Sequence, residues 1–242
     1  FDLCLAASKE SEENLKKLEV KNLKYLGNIK FTGKLKKDNS IDENLKILIK
    51  KKFWCAASTH KGEEIICLKT HLNLKKIYKD ITTIIIPRHI NRSIEIDQLC
   101  KNYKLSSQIL NENDFIKNNN EIIIVNSFGN LSKFYNLSKS VFMGKSMIKN
   151  LKNVGGQNPI EPAKFGCKIY HGPYVYNFRE IYNLLKSYEI AEEINNDEDL
   201  FKKLMTDLKD KKEDNNKITN TIDDLGHKIL EKTKAEISNF LI

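Results

Sequence analysis

Short apolar runs alternate with segments of helical pattern along most of this chain, and that alternation restricts it to βα units feeding a parallel sheet. The runs are "FWCAAS", "TTIIIP", "SSQIL", "EIIIV", "SVFMG" and "CKIYHG", with an earlier one, "FDLCLAA", at the start. Between them the pattern predicts helices over 9–18, with Ser8 as N-cap, and over 41–52, 63–78 and 93–103. Further helices are predicted over 130–137, 158–165 and 177–188, and a helical tail from 197 onward is broken by the polar "KDKKEDNNK". The expected architecture is α/β, a doubly wound domain of about six strands. The polar, glycine-bearing stretch "GNIKFTGKLKKDNS" reads as a connection. It divides the chain into 1–34, the end of one domain with its linker, and 35–242, a second domain with a helical tail.

Length and composition add limits. The chain has 242 residues, 40% of them hydrophobic, enough to bury a core. No apolar run reaches the ~20 residues of a membrane-spanning helix, and no signal peptide is recognisable. The five cysteines form no C-x-x-C pair, which argues for reduced, buried thiols in a cytosolic protein. The formal charge of +9 suits an anionic partner, but the lysines are dispersed in no block, as on a solvated surface. A nucleic-acid partner is not expected, because no basic–aromatic stripe is present.

Open α/β sheets bind ligands beyond the carboxyl ends of their strands, and the unusual residues of this chain fall there. "STHKGEE" follows the first of the six runs and "PRHINR" the second. "NSFGN" follows "EIIIV", "GGQNPIE" closes the loop after "SVFMG", and "HGPYVYNF" comes after "CKIY". Three of the four prolines (Pro159, Pro162, Pro173) lie in the last two segments, and the fourth is Pro87. Only three of 41 basic residues are arginines, Arg88, Arg92 and Arg179, so each suggests a need for the planar fork.

In "GGQNPIE", Gly155 and Gly156 permit close backbone approach and positive φ. Asn158 is a suitable N-cap with Pro159 at the first helical position. The helix start they make is a phosphate site. Glu161 is placed to accept from ribose hydroxyls; the plain alternative is a capped helix with Glu161 serving its dipole. Arg88 projects from a strand end, suited to phosphate or carboxylate. Ser58 or Thr59 is a candidate cap for the next helix, and His60 a candidate anion donor or general acid–base group. His89 and His171 read as structural, His71 and His227 as surface residues. Zinc is not expected, since no second histidine stands at helical spacing. No phosphate-binding P-loop, dinucleotide fingerprint or G-x-S-x-G elbow is present.

Taken together and in this order, "ASTHKGEE", "PRHINR", "GGQNPIEPAKFG" and "HGPYVYNF" resemble the C-terminal half of the Kdo (3-deoxy-D-manno-octulosonic acid) transferases, over about 54–182. "LGNIKF" is similar to the end of that family's N-terminal domain. The resemblance implies a GT-B fold, with the nucleotide on the C-terminal Rossmann-like domain. It implies transfer of Kdo from CMP-Kdo to a lipid A precursor in lipopolysaccharide synthesis, inverting, without metal or other cofactor. By the same resemblance Pro87, Arg88, Phe128, Gly129, Asn130, Asn158, Pro159, Ile160 and Glu161 would contact CMP. Ser58, Thr59, His60, Gly155 and Gly156 would lie near the donor sugar. The family's catalytic base, a glutamate of the early N-terminal domain, would lie before Phe1, and neither Glu63 nor Glu64 is assigned that role. Membrane association, at the cytoplasmic face of a Gram-negative inner membrane, would come through that upstream half and the lipid acceptor. The chain departs from the family at Asn126 and Asn130, where acidic residues are frequent, and at Lys145, where a second glycine is frequent. The alternatives are a GT-B enzyme using a UDP- or GDP-sugar, and a non-catalytic nucleotide-binding module.

Overall fold

The computed structural model describes residues 2–33, 43–127, 129, 131–209 and 216–241. In chain order, β1 (Cys4–Ala6), α1 (Lys9–Lys17) and β2 (Leu23–Tyr25) come first, then α2 (Lys46–Ile49), β3 (Phe53–Thr59) and α3 (Glu63–Lys75). β4 (Thr82–Pro87), α4 (Ser93–Asn102), β5 (Ser107–Leu110) and β6 (Ile122–Val125) follow. Then come α5 (Leu131–Leu137), β7 (Ser140–Met143), α6 (Ile160–Lys164), β8 (Lys168–His171) and α7 (Arg179–Ser187). β9 (Ala191–Glu193), α8 (Asp197–Asp207) and α9 (Asn216–Leu241) complete the chain.

The chain divides into two compact units, Phe1–Lys36 with Asn216–Ile242, and Lys37–Asn215. In the first, β1 and β2 pair in parallel and Ser8 caps α1, its hydroxyl accepting from Ser11 N at 3.0 Å. α9 belongs to this unit and not to the seven-stranded one, contrary to the division at 34/35 with a tail on the second domain. The reason is packing. Ile222 and Ile229 of α9 are buried, and Gly226 lets the Phe31 carbonyl approach so closely that a Cβ there would lie 2.4 Å from its oxygen. A glycine within a helical run reads from sequence as a weak point, whereas here it is the contact. The position of the 34/35 boundary and most of the polar break after α8 lie outside the described residues.

The second unit is the expected α/β domain, built on a parallel sheet in the order β5-β6-β4-β3-β7-β8-β9. Its strands are short and buried at every residue in β4, β6 and β7, as befits a sheet covered on both faces. Trp54, Ile85, Ile122, Phe142 and Tyr170 from the strands meet Leu68 and Leu74 of α3 and Leu200 and Leu204 of α8 in one core. Tyr170 and Ser140 each donate a hydroxyl hydrogen bond of 2.6 Å to Asp207, fastening α8 to the sheet. The seventh strand, β9, was not expected: it has three residues, two of them glutamates, and no apolar run announces it. Its Glu192 is held by Lys168 at 2.9 Å and by Lys203.

The sheet order fixes where a ligand belongs. From β3 the chain adds β4 beside it, places β5 at the edge and β6 between the two, then crosses back to set β7 on the other side of β3. The strand order therefore reverses between β3 and β7, and a crevice opens beyond their carboxyl ends.

One histidine departs from expectation. His71, read as a surface residue, is fully buried, its Nδ1 2.9 Å from Thr83 Oγ1 and its Nε2 3.7 Å from Glu121, which also pairs with Lys75. It sits two turns into α3 on the sheet-facing side, where the polar neighbours in sequence disguised its burial. Burial pushes its pKa down to about 4, more than the Glu121 carboxylate restores. In the unfolded chain it protonates near 6.5, so the stability it leaves intact above that value is lost as the pH falls toward 4. Urea unfolding at pH 7 and pH 4.5 should cost the native protein about 2 kcal/mol more than His71→Asn over the same interval. Parallel losses in the two proteins would show that His71 stays protonatable in the folded state.

Candidate functional site

The strand ends are assembled around Glu63, the first residue of α3. Its carboxylate is fully buried and accepts four backbone N–H groups. Oε2 takes His60 N at 2.9 Å and Lys145 N at 2.7 Å, and Oε1 takes Ser146 N at 2.8 Å and Met147 N at 2.9 Å. Burial pushes the Glu63 carboxyl up, and the four donors pull against that shift. Both oxygens are occupied, so Glu63 is not placed to act as a base. Glu64 is engaged as well: Arg92 donates to its two oxygens at 2.7 and 3.2 Å and also reaches Glu95 at 3.3 Å. This is the planar fork that the rarity of arginine suggested. Sequence reasoning gave Glu63 no role; the one available signal is a glutamate three residues after His60, the spacing of a capping box.

From this carboxylate the bonds run outward through the loop after β7. Gly156 N donates to Lys145 O at 2.6 Å, and Tyr174 N donates to Ser146 O at 2.9 Å. Gly172 N donates to Ser146 Oγ at 2.9 Å, and Asn177 N donates to Gly155 O at 3.0 Å. The Tyr182 hydroxyl donates to Gln157 O at 3.0 Å. The expected freedom of the two glycines is realised, with φ +91° at Gly156, but both are buried. A Cβ on Gly155 would lie 2.2 Å from Tyr174 O, and one on Gly156 3.0 Å from Val175 Cα. Their close approach is to the 174–175 backbone of their own chain.

At the end of β3 the pairing with β4 shifts register between Ala57 and Thr59, and the extra residue, Ser58, takes φ +56°. Neither Ser58 nor Thr59 caps α3, whose N-cap is Gly62 at φ +100° without a side-chain bond. The Thr59 hydroxyl is instead buried without a partner among the described residues. Thr59 O accepts Arg88 N at 3.0 Å, extending the ladder one step beyond Pro87. His60 is half-buried with Nδ1 3.1 Å from Ser58 O, and its ring meets that of the exposed His89 edge to face at 5.7 Å. Burial, with the charges of Lys145 and His89, pushes the His60 pKa down. His171 is buried as expected, Nδ1 2.8 Å from Gly172 O, beside the Tyr182 ring at 4.3 Å. His227 is exposed, as read from sequence.

α6 begins one residue later than expected, with Pro159 in the cap position, yet Asn158 Oδ1 still accepts Ile160 N at 3.2 Å. Pro159 and Ile160 are buried, and Asn158 and Glu161 half-buried. The exposed guanidinium of Arg88 and the half-buried carboxylate of Glu161 have no partner among the described residues, and burial pushes the Glu161 pKa up. Gly129 is exposed at φ +81°, while Phe128 and Asn130 lie outside the described residues. Asn126 is occupied, accepting from Ser93 Oγ at 2.9 Å and donating to Asn111 at 2.8 Å.

Replacing Glu63 by Gln turns one acceptor oxygen into a donor that faces two backbone N–H groups. Two broken charge-assisted bonds in a buried setting should cost roughly 2–6 kcal/mol. Urea unfolding of Glu63→Gln with an unchanged m-value measures that loss, and a cost below about 1 kcal/mol would show that the four bonds do not hold the loop.

Comparison with known proteins places these features in a lineage. No family model matches the chain. Among curated proteins, the chain is 30% identical to the 3-deoxy-D-manno-octulosonic acid transferase of Haemophilus influenzae, over 88% of this chain and 50% of that protein. The protein of the same name from Rickettsia conorii is 34% identical over 81% of this chain and 42% of its own length. The chain thus spans about half the length of the curated relatives it matches. Among solved structures it resembles the C-terminal CMP-Kdo binding domain of WaaA from Acinetobacter baumannii, with a TM-score of 0.63 and 21% identity. That match covers 77% of this chain and 93% of that one and shares its fold.

Proposed function

We propose, because the chain belongs to the 3-deoxy-D-manno-octulosonic acid transferase family, that its seven-stranded unit is the donor-binding part of a glycosyltransferase that takes Kdo from CMP-Kdo. The observation that carries this reading is the pair of unpartnered charges at the strand ends, Arg88 and Glu161. A buried or half-buried charge is normally paired, as Glu64 is by Arg92, and the half-buried carboxylate of Glu161 is not. An unpaired cation suits a phosphate, and a half-buried carboxylate suits the hydroxyls of a ribose.

In this reading Arg88, next to Pro87, holds the phosphate, and Glu161 accepts from the ribose. Gly129 and the segment Asn158, Pro159 and Ile160 surround the nucleotide. Ser58, Thr59 and His60 line the sugar side, while Gly155 and Gly156 hold the 174–175 wall. The acceptor, a lipid A precursor at the cytoplasmic face of the inner membrane, loses a proton to a carboxylate base from outside this segment. Its oxygen attacks the anomeric carbon with inversion as the bond to phosphate breaks. CMP leaves with its charge held by Arg88 and by backbone N–H groups, without a metal ion.

Thermal-shift titration with CMP, UMP, GMP and AMP tests the nucleotide. A ligand bound only by the folded state stabilises it by RT ln(1 + [L]/Kd), about 2.7 kcal/mol at a hundredfold excess over Kd. CMP alone should raise the midpoint, and Arg88→Ala and Glu161→Gln should each abolish most of that rise. A UMP-selective rise would favour a UDP-sugar enzyme instead, and no rise with any of the four would leave the donor-site reading without support.

A further inference from the structure

Lys145 occupies a backbone position that a lysine rarely adopts. Its φ is +57°, in the left-handed region where a Cβ crowds the following carbonyl oxygen. Glycine would meet no such strain there. The residue is fixed through both its flanking peptides, by Lys145 N on Glu63 Oε2 at 2.7 Å and by Gly156 N on Lys145 O at 2.6 Å. The loop therefore does not relax to suit the lysine; the lysine is held in a conformation meant for glycine.

Its place in the fold suggests why. Lys145 follows β7 directly, and His60 follows β3, so the two residues flank the crevice where the strand order reverses. Their amide nitrogens bond the same carboxylate oxygen, which sets their backbones side by side. His89 joins His60 ring to ring, and Arg88 N is tied to Thr59 O. Three potentially cationic groups thus lie together, His89, His60 and Lys145, and Arg88 precedes His89 in the chain. The acids nearest to them are committed elsewhere, Glu63 to four backbone N–H groups and Glu64 to Arg92. The Lys145 ammonium has no ion pair among the described residues, and its charge helps hold the His60 imidazole neutral.

One phosphodiester carries one negative charge, and Arg88 suffices to meet it. A sugar acid linked through that phosphate brings a second, its carboxylate, a few ångströms away. We infer that Lys145, together with His60, binds the carboxylate of the donor's sugar acid, as a specificity-determining cation. The inference rests on the donor-site reading given above and adds to it the group that tells a sugar-acid donor from one carrying a neutral sugar. A neutral His60 donates through Nε2–H only in one tautomer, so the ammonium supplies the charge and the imidazole the orientation.

Isothermal titration of the full chain with CMP and with CMP-Kdo, without acceptor, separates the two anionic groups. Two variants separate charge from backbone: Lys145→Met keeps the stem and the strained φ, and Lys145→Gly removes both. The native protein should bind CMP-Kdo more tightly than CMP. Both variants should weaken CMP-Kdo roughly tenfold, the loss expected of one charge-assisted hydrogen bond, with CMP changed less than about twofold. Lys145→Arg should restore most of the difference, and only the glycine variant should gain thermal stability. Equal losses for CMP and CMP-Kdo would place Lys145 on the phosphate and overturn the inference while leaving the donor site standing. Unchanged affinity for both ligands would overturn it too. A native protein that binds neither cytidylate compound would remove the donor-site reading itself, and this inference with it.

Discussion

The carboxylate of Glu63 is the point from which the strand-end architecture is built. A buried charge is tolerable only when its lone pairs are filled, and here four main-chain N–H groups fill them. Those four donors come from two separate loops, one after β3 and one after β7, so a single side chain joins the two strands on either side of the crevice. The loop it holds in turn offers its carbonyls to Gly156 and Tyr174 and a hydroxyl to Gly172. The segments after β7 and β8 are therefore positioned by a relay of hydrogen bonds that begins at the first turn of α3. Little of this wall is secured by apolar burial of its own.

A relay of that kind demands unusual backbone at its joints, and four positive φ values fall at them. Ser58 forms the bulge that ends β3, Gly62 opens α3, Lys145 turns the chain after β7, and Gly156 returns it toward 174–175. Two of the four are not glycines. At Ser58 the strain sits beside Gly144, where a Cβ would lie 2.5 Å from Ser58 O, so the two strand ends touch through main chain alone. Strained conformations persist where the surroundings over-determine them, and the surroundings here are bonds to a buried carboxylate and a backbone packed without side chains.

Much of this fold was legible because its signals are local. β-branched runs such as Ile84–Ile86 and Ile122–Ile124 announce buried strands, and Ser8 announces a helix start. What stayed hidden depends on partners distant in sequence. β9 is a strand because β8 lies beside it, not because Ala-Glu-Glu prefers to be one. His71 is buried because α3 turns that face to β4, where Thr83 waits. α9 joins the first unit through a glycine that no periodicity would mark as a contact. Within the strand-end segments, sequence did not show which partners each residue has. Gly155 and Gly156 pack on the 174–175 backbone, Arg92 serves Glu64, and Ser58 and Thr59 do not cap a helix.

Net charge is a poor guide to such a site, and the pairing of individual cations is a better one. A formal +9 spread over a surface says only that anions are not repelled. Most interior or boundary cations here are spent on structure: Lys168 and Lys203 on Glu192, Lys75 on Glu121, Arg92 on Glu64 and Glu95. Against that background an arginine at the end of β4 and a lysine at the end of β7, both unpaired among the described residues, stand apart. They also stand in the one place where the sheet topology opens a crevice. A positive charge left unneutralised at a rigidly bonded turn raises the energy of the empty protein slightly and lowers that of the complex with an anion. The same rigidity that makes Lys145 uncomfortable fixes the point from which its side chain extends, so no backbone need be ordered there when an anion arrives.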